Sequence, residues 1–555
     1  MSKNLSFLSR RQGLTNNLFD KLGQAAQETG TPSRSDMKRL KEEFLMGDAN
    51  VYGTVSFYDF LKEDNQGKKV YVCNGSACLT AGTQDNVKTT LSEHFKPEEI
   101  GEMCCLGRCH ENSSFHYNGS SYSGTSIQHL PEIINQKTVF SDQYTTDSSG
   151  IQVITQSIPD SIIYYNEILG HALKSDPVAL AQNIQTSGLR GRGGAGFPTY
   201  IKLNACREMP CPTKFIVCNA DEGDPGAYSD RYIMEERPQT LLAGMIIAGY
   251  IAKATWGVVY IRAEYPESIH RIQQELELLE SEGWLGENIK GSGFDFRFKV
   301  IKAQGAYICG EETALLASIE GQRPEVRVRP PFPAQEGLFR QPTVISNVET
   351  LASIPFITIH GGFTYGKTGI GKSTGTKLIS LDGFFNNPGI REVEMGTPLS
   401  DVIYKLGGGF RVPVKALHIG GPLGGIVPVS KIQDLNISFE SFSSHGFLLG
   451  HASVVCIPEN YPMIDYLRHL FKFTSHESCG KCFPCRLGTV RGYELLDKAM
   501  TTDYIIDTQL FIDLLDTLEA GSLCALGGGL PLPVRNSLQY FQEELKHYFS
   551  GTLNQ

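Results

Sequence analysis

Cysteine spacing restricts the fold of this chain more than any other feature, because thiolates that bind one metal centre must be brought together by the backbone. The stretch SCGKCFPCRLG holds Cys479, Cys482 and Cys485 at intervals of three residues. An iron–sulfur cluster takes four thiolates, and a bacterial ferredoxin supplies the fourth shortly after the third, before a proline. This chain has no cysteine there. The fourth ligand must therefore be distant in sequence.

Two cysteines compete for the fourth position. Cys456 lies in the apolar run SVVCIP, where a cysteine is typically a small buried hydrophobic residue. Cys524 lies in GSLCALGGG, a glycine-rich loop whose backbone can approach a cluster and donate N–H groups to its sulfurs. We therefore predict a 4Fe-4S cluster that includes Cys524. Zinc is the alternative, although zinc sites usually pair two C-x2-C units.

A second cysteine group lies near the N-terminus. Cys73 and Cys78 are separated by four residues, and Cys105 and Cys109 by three, with Cys104 as a spare. This spacing differs from the C-x4-C-x2-C of plant-type ferredoxins, and zinc is again the alternative. Cys104 is the weaker ligand candidate because adjacent cysteines do not easily point the same way. We predict a 2Fe-2S cluster on the other four.

A glycine-rich stretch, GRGGAGFP at residues 191–198, fits G-x-G-x-x-G. It is not expected to be a standard Rossmann dinucleotide site, because VALAQNIQTS before it has a helical pattern and Cys211 stands where an acidic residue is usual. Consecutive glycines do expose backbone N–H groups to an anion. With positive charge from Arg190, Arg192 and Lys202, this loop suits a phosphorylated cofactor.

Composition limits the function classes. The chain has 555 residues, 14 cysteines and a formal net charge of −10, which argues against nucleic-acid or anionic-membrane binding. We find no apolar run of the ~18 to 20 residues that a membrane span needs, and no secretory core at the start. We therefore expect a cytoplasmic protein whose cysteines bind metal and do not form disulfides.

The pattern along the chain predicts a multidomain α/β protein. FIVCNA and GVVYIRA are typical of buried strands, and TLLAGMIIAGYIA of a packed helix. LFDKLGQAAQ and MKRLKEEFLM near the start have helical patterns, and REVEMG places Val393 and Met395 on one face of a strand. After Pro462 a helix is predicted with one apolar stripe: Met463, Leu467, Leu470 and Phe471. The predicted units are an N-terminal helical segment (1–66), a β-rich unit (67–136), a linker (137–155), an α/β domain (156–372), a small β-rich domain (373–456) and a helical C-terminal domain (457–555).

Several long motifs occur in one order: GRGGAGFPTYIK, CNADEGDPGAYSDR, AYICGEETALL, RPPFPAQEGL and SNVETLA. With SCGKCFPCRLG they closely resemble the FMN-containing, NADH-binding flavoprotein subunit of respiratory complex I. VYGTVSFY, CNGSAC and CLGRC resemble the small thioredoxin-like 2Fe-2S subunit of that complex. Their fusion in one chain is more similar to the diaphorase subunits of NAD-reducing hydrogenases and NAD-dependent formate dehydrogenases.

The resemblance implies a thioredoxin-like 2Fe-2S unit, a Rossmann-like FMN domain, a β-grasp-like domain and a helical 4Fe-4S bundle. It implies that NADH passes hydride to FMN and that electrons leave singly through the clusters. The implied FMN contacts are Gly191, Gly193, Lys202, Asn219, Asp221, Gly310, Glu311 and Asn347. The implied nucleotide contacts are Phe197, Asp224, Tyr307, Glu312, Arg329 and Phe332, of which Glu312, Asp224 and Tyr307 are the predicted catalytic residues. The implied cluster ligands are Cys73, Cys78, Cys105, Cys109, Cys479, Cys482, Cys485 and Cys524.

Four positions depart from the complex I pattern. Asp224 replaces glutamate, Arg329 replaces lysine, Ser346 replaces the first of two asparagines, and Ala205 stands where an aromatic residue often flanks the adenine. These changes bear on nucleotide affinity and flavin potential.

No segment resembles a nickel, molybdenum or quinone site. We therefore expect partner subunits that include iron–sulfur carriers and a catalytic metal subunit. The alternatives are the NADH-input subunit of a complex I-like quinone reductase, or a non-catalytic redox sensor.

Overall fold

The computed structural model describes residues 14, 17–26, 30–135 and 144–553. In these ranges helices and sheets alternate, and the predicted multidomain α/β class is confirmed. None of the helices described is long and apolar enough to cross a membrane.

The N-terminal segment is helical, as its pattern predicts. Ser33 caps the second helix. Its hydroxyl accepts from the backbone N–H of Asp36, and the Asp36 carboxylate accepts from the backbone N–H of Ser33. The helices are α1 (Leu18–Ala26), α2 (Arg34–Phe44) and α3 (Asp48–Val55).

The unit that follows has a four-stranded sheet in the order β2-β1-β3-β4. The first two strands pair in parallel and the others antiparallel. Val70 and Val72 point into a small apolar core, while Tyr71 and Cys73 face the next domain. Its elements are β1 (Val70–Cys73), α4 (Ser76–Ala81), α5 (Gln84–Ser92), β2 (Ile100–Met103), β3 (Phe115–Tyr117), β4 (Ser120–Tyr122) and α6 (Leu130–Ile134).

The largest domain is built on a four-stranded, all-parallel sheet. Its elements, with one preceding strand, are β5 (Thr146–Ser149), α7 (Ser161–Ala172), α8 (Pro177–Ser187), α9 (Thr199–Glu208), β6 (Phe215–Ala220), α10 (Ser229–Glu236), α11 (Pro238–Ala252), β7 (Trp256–Ile261), α12 (Pro266–Ser281), β8 (Arg297–Lys302), α13 (Glu312–Ile319), β9 (Thr343–Asn347), α14 (Val348–Ala352), α15 (Ile354–His360) and α16 (Gly362–Lys367).

The sheet order β8-β7-β6-β9 creates a topological switch point at β6. Strands β7 and β8 are added on one side of β6, and β9, which follows them in the sequence, pairs with the other side. Ligands in open parallel sheets bind at the carboxyl ends of strands at such a point. Both faces are covered, as buried parallel sheets require. Ile216 and Cys218 contact the α11 side, while Phe215 and Val217 contact α1 to α3. The N-terminal helices thus complete this domain.

The small domain is a mixed sheet in the order β15-β14-β16-β12-β13-β5. Val393 and Met395 face its core together, as predicted from their alternation. A π-helical turn spans Asp401–Leu406. The further elements are β10 (Gly369–Ile370), β11 (Ser373–Thr374), β12 (Thr376–Leu381), β13 (Gly389–Glu394), β14 (Val414–Ile419), β15 (Gly425–Pro428), α17 (Phe439–Ser444) and β16 (Ser453–Pro458).

Two details of the predicted boundaries differ. The linker predicted at 137–155 contains strand β5, which pairs with β13 at the edge of the small sheet, whereas residues 137–143 lie outside the described ranges. β5 has the sequence TDSS and little burial, so it carries no apolar alternation that reveals a strand. The boundary placed after Cys456 falls inside β16, which continues to Pro458.

The C-terminal domain is helical. The predicted apolar stripe of Met463, Leu467, Leu470 and Phe471 is buried in its core. α18 begins after Pro462 and ends directly before the cysteine motif. The elements are α18 (Met463–Glu477), α19 (Phe483–Thr501), β17 (Ile506–Asp507), α20 (Thr508–Gly521), α21 (Ala525–Gly529), α22 (Pro531–Tyr540), α23 (Gln542–Leu545) and β18 (Phe549–Ser550).

Candidate functional site

A cavity of about 620 Å³ opens at the switch point, between the carboxyl ends of β6 and β9. Asn219 and Asn347, near the ends of these two strands, form part of its lining. Asn347 is fixed by its neighbours, since its side-chain oxygen accepts from the N–H groups of Glu349 and Thr350 (2.9 and 3.3 Å) and caps α14. The cavity therefore has a preformed polar floor.

The glycine-rich loop forms one wall. It is closed by a hydrogen bond from the N–H of Gly191 to the carbonyl of Phe197 (2.8 Å), and it leads into α9. A Cβ atom at Gly193 would lie 3.0 Å from Cβ of Asn347, so the loop backbone lies directly against the floor. Gly196 has φ of +60°, a conformation that favours glycine. The loop can thus present backbone N–H groups to a phosphate.

Two of the three cations predicted for this loop point elsewhere. Arg190 donates to Gly196 O and pairs with Glu440 (both 2.6 Å). Arg192 is buried and donates to Tyr365 Oη (2.9 Å). Of the three, only Lys202 lines the cavity. Sequence proximity to the glycines was misleading, because partners more than 170 residues away, Glu440 and Tyr365, hold the two arginine side chains outside the lining.

A charged trio stands at the cavity wall. Glu312 pairs with Lys202 (Nζ to Oε2, 3.2 Å) and with Arg329 (NH1 to Oε1, 2.6 Å). The three side chains are between a fifth and a third exposed, so solvent screens these pairs and their contribution to stability is small. Arg329 also lies 3.9 Å from Glu311, so the two cations at this wall are balanced by two carboxylates, and the N–H groups of the glycine loop remain as donors to an anionic ligand.

Most of the predicted flavin and nucleotide residues line the cavity: Gly191, Gly193, Phe197, Lys202, Asn219, Gly310, Glu312, Arg329, Phe332 and Asn347. Ala205 and Ser346, singled out as departures from the family pattern, line it too. Sequence reasoning missed other lining residues, among them Thr199 and Ile345. The sequence did offer a signal for these two residues, because Thr199 directly follows GRGGAGFP and Ile345 directly precedes SNVETLA.

Four predicted residues are not part of the cavity lining: Glu311, Tyr307, Asp224 and Asp221. Glu311 caps α13 by accepting from the N–H groups of Thr313 (2.8 Å) and Ala314 (2.9 Å). Tyr307 Oη donates to Asp224 Oδ1 (2.6 Å), and burial raises the pKa of both groups. Asp221 is buried, and desolvation holds its pKa well above the usual range.

The loop after β6 joins the cavity to the N-terminal cysteines. Gly226 in this loop donates its N–H to Cys109 Sγ (3.2 Å), whereas Asn219, seven residues earlier, lines the cavity. One short backbone segment therefore touches both sites.

The four predicted N-terminal ligands form one buried group: Cys73, Cys78, Cys105 and Cys109. Cys105 Sγ lies 3.4 Å from Cys109 Sγ and accepts from the N–H of Gly107 (3.4 Å). Hydrogen bonds from Cys109 and Cys73 hold the pKa of Cys105 well below its ordinary value. Four converging thiols with backbone N–H donors fit an iron–sulfur cluster.

The C-terminal group consists of Cys479, Cys482, Cys485 and Cys524, gathered beside Ile308 and Leu526. Ser478 Oγ lies 3.3 Å from Cys485 Sγ. A Cβ at Gly527 would lie 2.7 Å from Cβ of Cys485, so the glycine loop closes over this group. Burial raises the pKa of the Cys485 thiol to about 11 and that of Cys524 to about 12. These four thiols fit a cluster whose irons would stabilise the thiolates.

Cys456 lies apart from this group. It is fully buried in β16 within the core of the small sheet, and its N–H donates to Asp382 (2.7 Å). It therefore has the structural position predicted for it.

A cavity at the switch point of a parallel sheet, together with two four-cysteine groups, fits an electron-transfer protein that holds a nucleotide-type cofactor and iron–sulfur clusters. Three family models match: the Nuo51 FMN-binding domain at residues 184–356, the NADH-ubiquinone oxidoreductase-F iron-sulfur binding region at 465–548, and the thioredoxin-like [2Fe-2S] ferredoxin at 6–138. The predicted FMN, 4Fe-4S and 2Fe-2S cofactors are thereby confirmed, whereas the individual ligands stay predictions.

Similar proteins agree with these matches. The chain is 39% identical to the NADP-reducing hydrogenase subunit HndC of Solidesulfovibrio fructosivorans, over 72% of this chain and 84% of that one. It is 30% identical to the NAD-reducing hydrogenase HoxS subunit alpha of Cupriavidus necator, over 98% of this chain and 93% of that subunit. It is 37% identical to the mitochondrial NADH dehydrogenase [ubiquinone] flavoprotein 1 of Dictyostelium discoideum, over 66% of this chain and 78% of that protein.

A crystal structure of an NAD+-reducing [NiFe]-hydrogenase in the air-oxidised state contains a chain of the same fold. The TM-score is 0.85 at 27% identity, over 96% of this chain and 93% of that one. The chain belongs to the family of NADH dehydrogenase flavoprotein subunits that carry FMN and iron–sulfur clusters.

Proposed function

We propose that this chain is the diaphorase subunit of an NAD-dependent hydrogenase or formate dehydrogenase and exchanges electrons between NAD(H) and partner subunits. One observation carries the proposal. The match to the HoxS hydrogenase subunit extends over nearly the whole chain, including the N-terminal 2Fe-2S unit, whereas the match to the mitochondrial flavoprotein extends over about two thirds. A cytoplasmic location is part of the proposal, because the two groups of four cysteines need a reducing compartment to bind clusters.

The cavity residues have distinct proposed roles. Bound FMN supplies the conversion between two-electron and one-electron transfer. The N–H groups of the glycine loop and the Lys202 ammonium bind its phosphate, and Asn219 and Asn347 position the flavin from the floor. Phe197 and Phe332, about half exposed at the cavity wall, provide apolar faces for the nucleotide.

Turnover by the isolated chain tests the proposal. We expect one FMN and about six irons per chain, the number in one 4Fe-4S and one 2Fe-2S cluster. NADH should bleach the flavin absorption and support the reduction of ferricyanide. Full cofactor content without NADH turnover would instead support the redox-sensor alternative. Metal analysis of the co-purified complex for nickel, molybdenum and tungsten identifies the terminal partner.

An exposed apolar stripe marks the proposed exit side for electrons. Phe483, Leu487 and Val490 are 70%, 56% and 41% exposed, and their spacing places them on one face of α19 directly after Cys482. Contiguous exposed apolar residues mark sites of protein association. We propose that this stripe docks the iron–sulfur partner subunit next to the 4Fe-4S cluster.

We expect Phe483→Asp to reduce co-purification of the partner at least tenfold, because the change removes the most exposed ring of the stripe and places a charge in an apolar interface. The matched control is Phe363→Asp on α16, which removes a phenylalanine of similar exposure (65%) from a different face. NADH–ferricyanide activity and the 4Fe-4S signal should survive in both variants. Equal partner loss in both would contradict the docking assignment.

Nucleotide preference depends on the charged trio. We expect the unmodified chain to prefer NADH over NADPH by about tenfold or more in kcat/KM, because Glu312 engages both nearby cations and adds a charge that repels a 2′-phosphate. Glu312→Gln should narrow the ratio of NADH to NADPH use mainly by improving NADPH use, since the mutation removes the repelling charge and weakens the hold on Arg329. Steady-state rates with both nucleotides measure this. Equal or better use of NADPH by the unmodified chain would contradict it.

A further inference from the structure

Three metal-ligating side chains meet in a buried group that the electron-transfer function does not use. Glu222 follows β6, Asp230 lies in the first turn of α10, and His451 precedes β16. Their exposed fractions are 5%, 1% and 6%. His451 Nε2 lies 3.5 Å from both Glu222 Oε1 and Asp230 Oδ2, and all three ligand atoms lie within 4.8 Å of one another.

This group has unsatisfied polar atoms at its centre. Neither ring nitrogen of His451 has a hydrogen-bond partner among the described residues, and Asp230 Oδ1 has none there either. A contact of 3.5 Å is long for a charge-assisted hydrogen bond, which is usually about 2.7 to 2.9 Å. Each buried polar group without a partner costs about 1 to 3 kcal/mol. The geometry leaves a gap that a ligand could fill.

Charge favours a cation in that gap. Cationic side chains around the group pair with other carboxylates: Arg231 with Glu235, Arg262 with Glu264, and Lys377 with Glu349. Burial and the neighbouring Asp230 raise the pKa of Glu222 to about 7, which reflects the cost of two carboxylates in this space. Although burial opposes it, Asp230 and Glu222 raise the pKa of His451 to about 9, so without an ion the imidazole is protonated and pairs with both carboxylates. A divalent cation would take the place of that proton and neutralise both carboxylates.

We propose that Glu222, Asp230 and His451 bind one divalent transition-metal ion, separate from the iron–sulfur clusters. Ligand separations of 3.5 to 4.8 Å accommodate an ion about 2.0 to 2.4 Å from each ligand atom, which is the range of metal–imidazole and metal–carboxylate bonds. One imidazole with two carboxylates suits Zn²⁺ or Mn²⁺, whereas thiolates select softer ions.

The carboxylates are already oriented for this role. Glu222 accepts from the N–H groups of Asp230 (2.9 Å) and Arg231 (3.1 Å). Asp230 Oδ2 accepts from Asn347 Nδ2 (2.6 Å). Such hydrogen bonds commonly fix metal ligands. Because Asn347 also lines the cavity, the ion would sit one side chain behind the cavity floor and stabilise its geometry.

Manganese binding tests the site independently of NADH turnover. Mn²⁺ is a suitable probe because it prefers oxygen and nitrogen ligands and competes poorly for cysteines. Cluster-loaded full chain, freed of loosely bound metal under anaerobic conditions, is titrated with Mn²⁺ while the EPR signal of the free ion is followed. We expect the chain to bind one Mn²⁺, and His451→Ala to bind it at least tenfold more weakly.

The matched control is His445→Ala, which removes an exposed histidine six residues away and should retain Mn²⁺ binding. Iron and FMN contents verify that each variant is folded. If His451→Ala loses them, Glu222→Gln replaces it, since that change keeps the side-chain volume. Mn²⁺ and Zn²⁺ binding that is absent, or equal in the unmodified chain and the variant, would overturn the site and leave a buried ion pair.

Discussion

Replacing Cys524 by serine is expected to eliminate the 4Fe-4S cluster. Cys524 joins the three-cysteine motif from a distant loop, and without its thiolate one iron loses its protein ligand. Iron should fall from about six to about two atoms per chain, and the EPR signal of the reduced 4Fe-4S cluster should disappear or change strongly. The 2Fe-2S signal should remain, because its cysteines form a separate group.

Cys456→Ser is the matched control. Cys456 is buried in the small sheet beside Asp382, which can accept from a serine hydroxyl, so this change should cost at most about 1 to 3 kcal/mol of stability and leave both clusters intact. Cluster loss in Cys456→Ser together with retention in Cys524→Ser would reverse the assignment of the fourth ligand.

Gly193→Val is expected to prevent FMN binding. A Cβ at this position already lies 3.0 Å from Asn347 Cβ, and the two methyl groups of valine would have to occupy the space between the loop and the cavity floor. We expect FMN content to fall at least tenfold, with NADH–ferricyanide activity falling in proportion. Flavin fluorescence after denaturation measures the content. Iron content should be unchanged.

Gly170→Ala controls for the general effect of replacing a glycine. Gly170 lies inside α7, and a Cβ there would have Trp284 as its closest neighbour at 4.0 Å. Alanine at this helical position should stabilise the chain by up to about 1 kcal/mol. Retention of one FMN per chain by Gly193→Val would show that the flavin phosphate binds away from this loop.

Sequence patterns predicted the strands that are buried along their whole length and the helices that bury one regular face. β6 and β7 were evident as short apolar runs, and α18 as an amphipathic stripe, because each signal is contained in one stretch of sequence. The cysteine groups were evident for the same reason, since spacing alone indicated three of the four C-terminal ligands.

Features set by long-range pairing were not predictable. β5 is polar and becomes a strand only because β13 offers a free edge. The helical pattern of residues 18–55 shows an apolar face but not its partner, which is the sheet of the flavin domain. Arg192 was expected near a phosphate, yet Tyr365 and Thr374, more than 170 residues later, hold it elsewhere.

Because α1 to α3 pack on the flavin-domain sheet, the order in which the chain is synthesised affects when the 2Fe-2S cluster can be inserted. The sheet is complete only with β9, which ends at Asn347, roughly 290 residues after α3 ends, so a ribosome adding about 5 to 20 residues per second needs some 15 to 60 s to supply the partner surface. Gly226 is made about 120 residues after Cys109, and its loop follows β6, so it covers the cysteines at 73–109 only once that sheet has formed; in the finished chain the four predicted ligands are at most 2% exposed. Iron and sulfide must therefore reach the 2Fe-2S unit while the rest of the chain is still being made, or through a later opening of this interface.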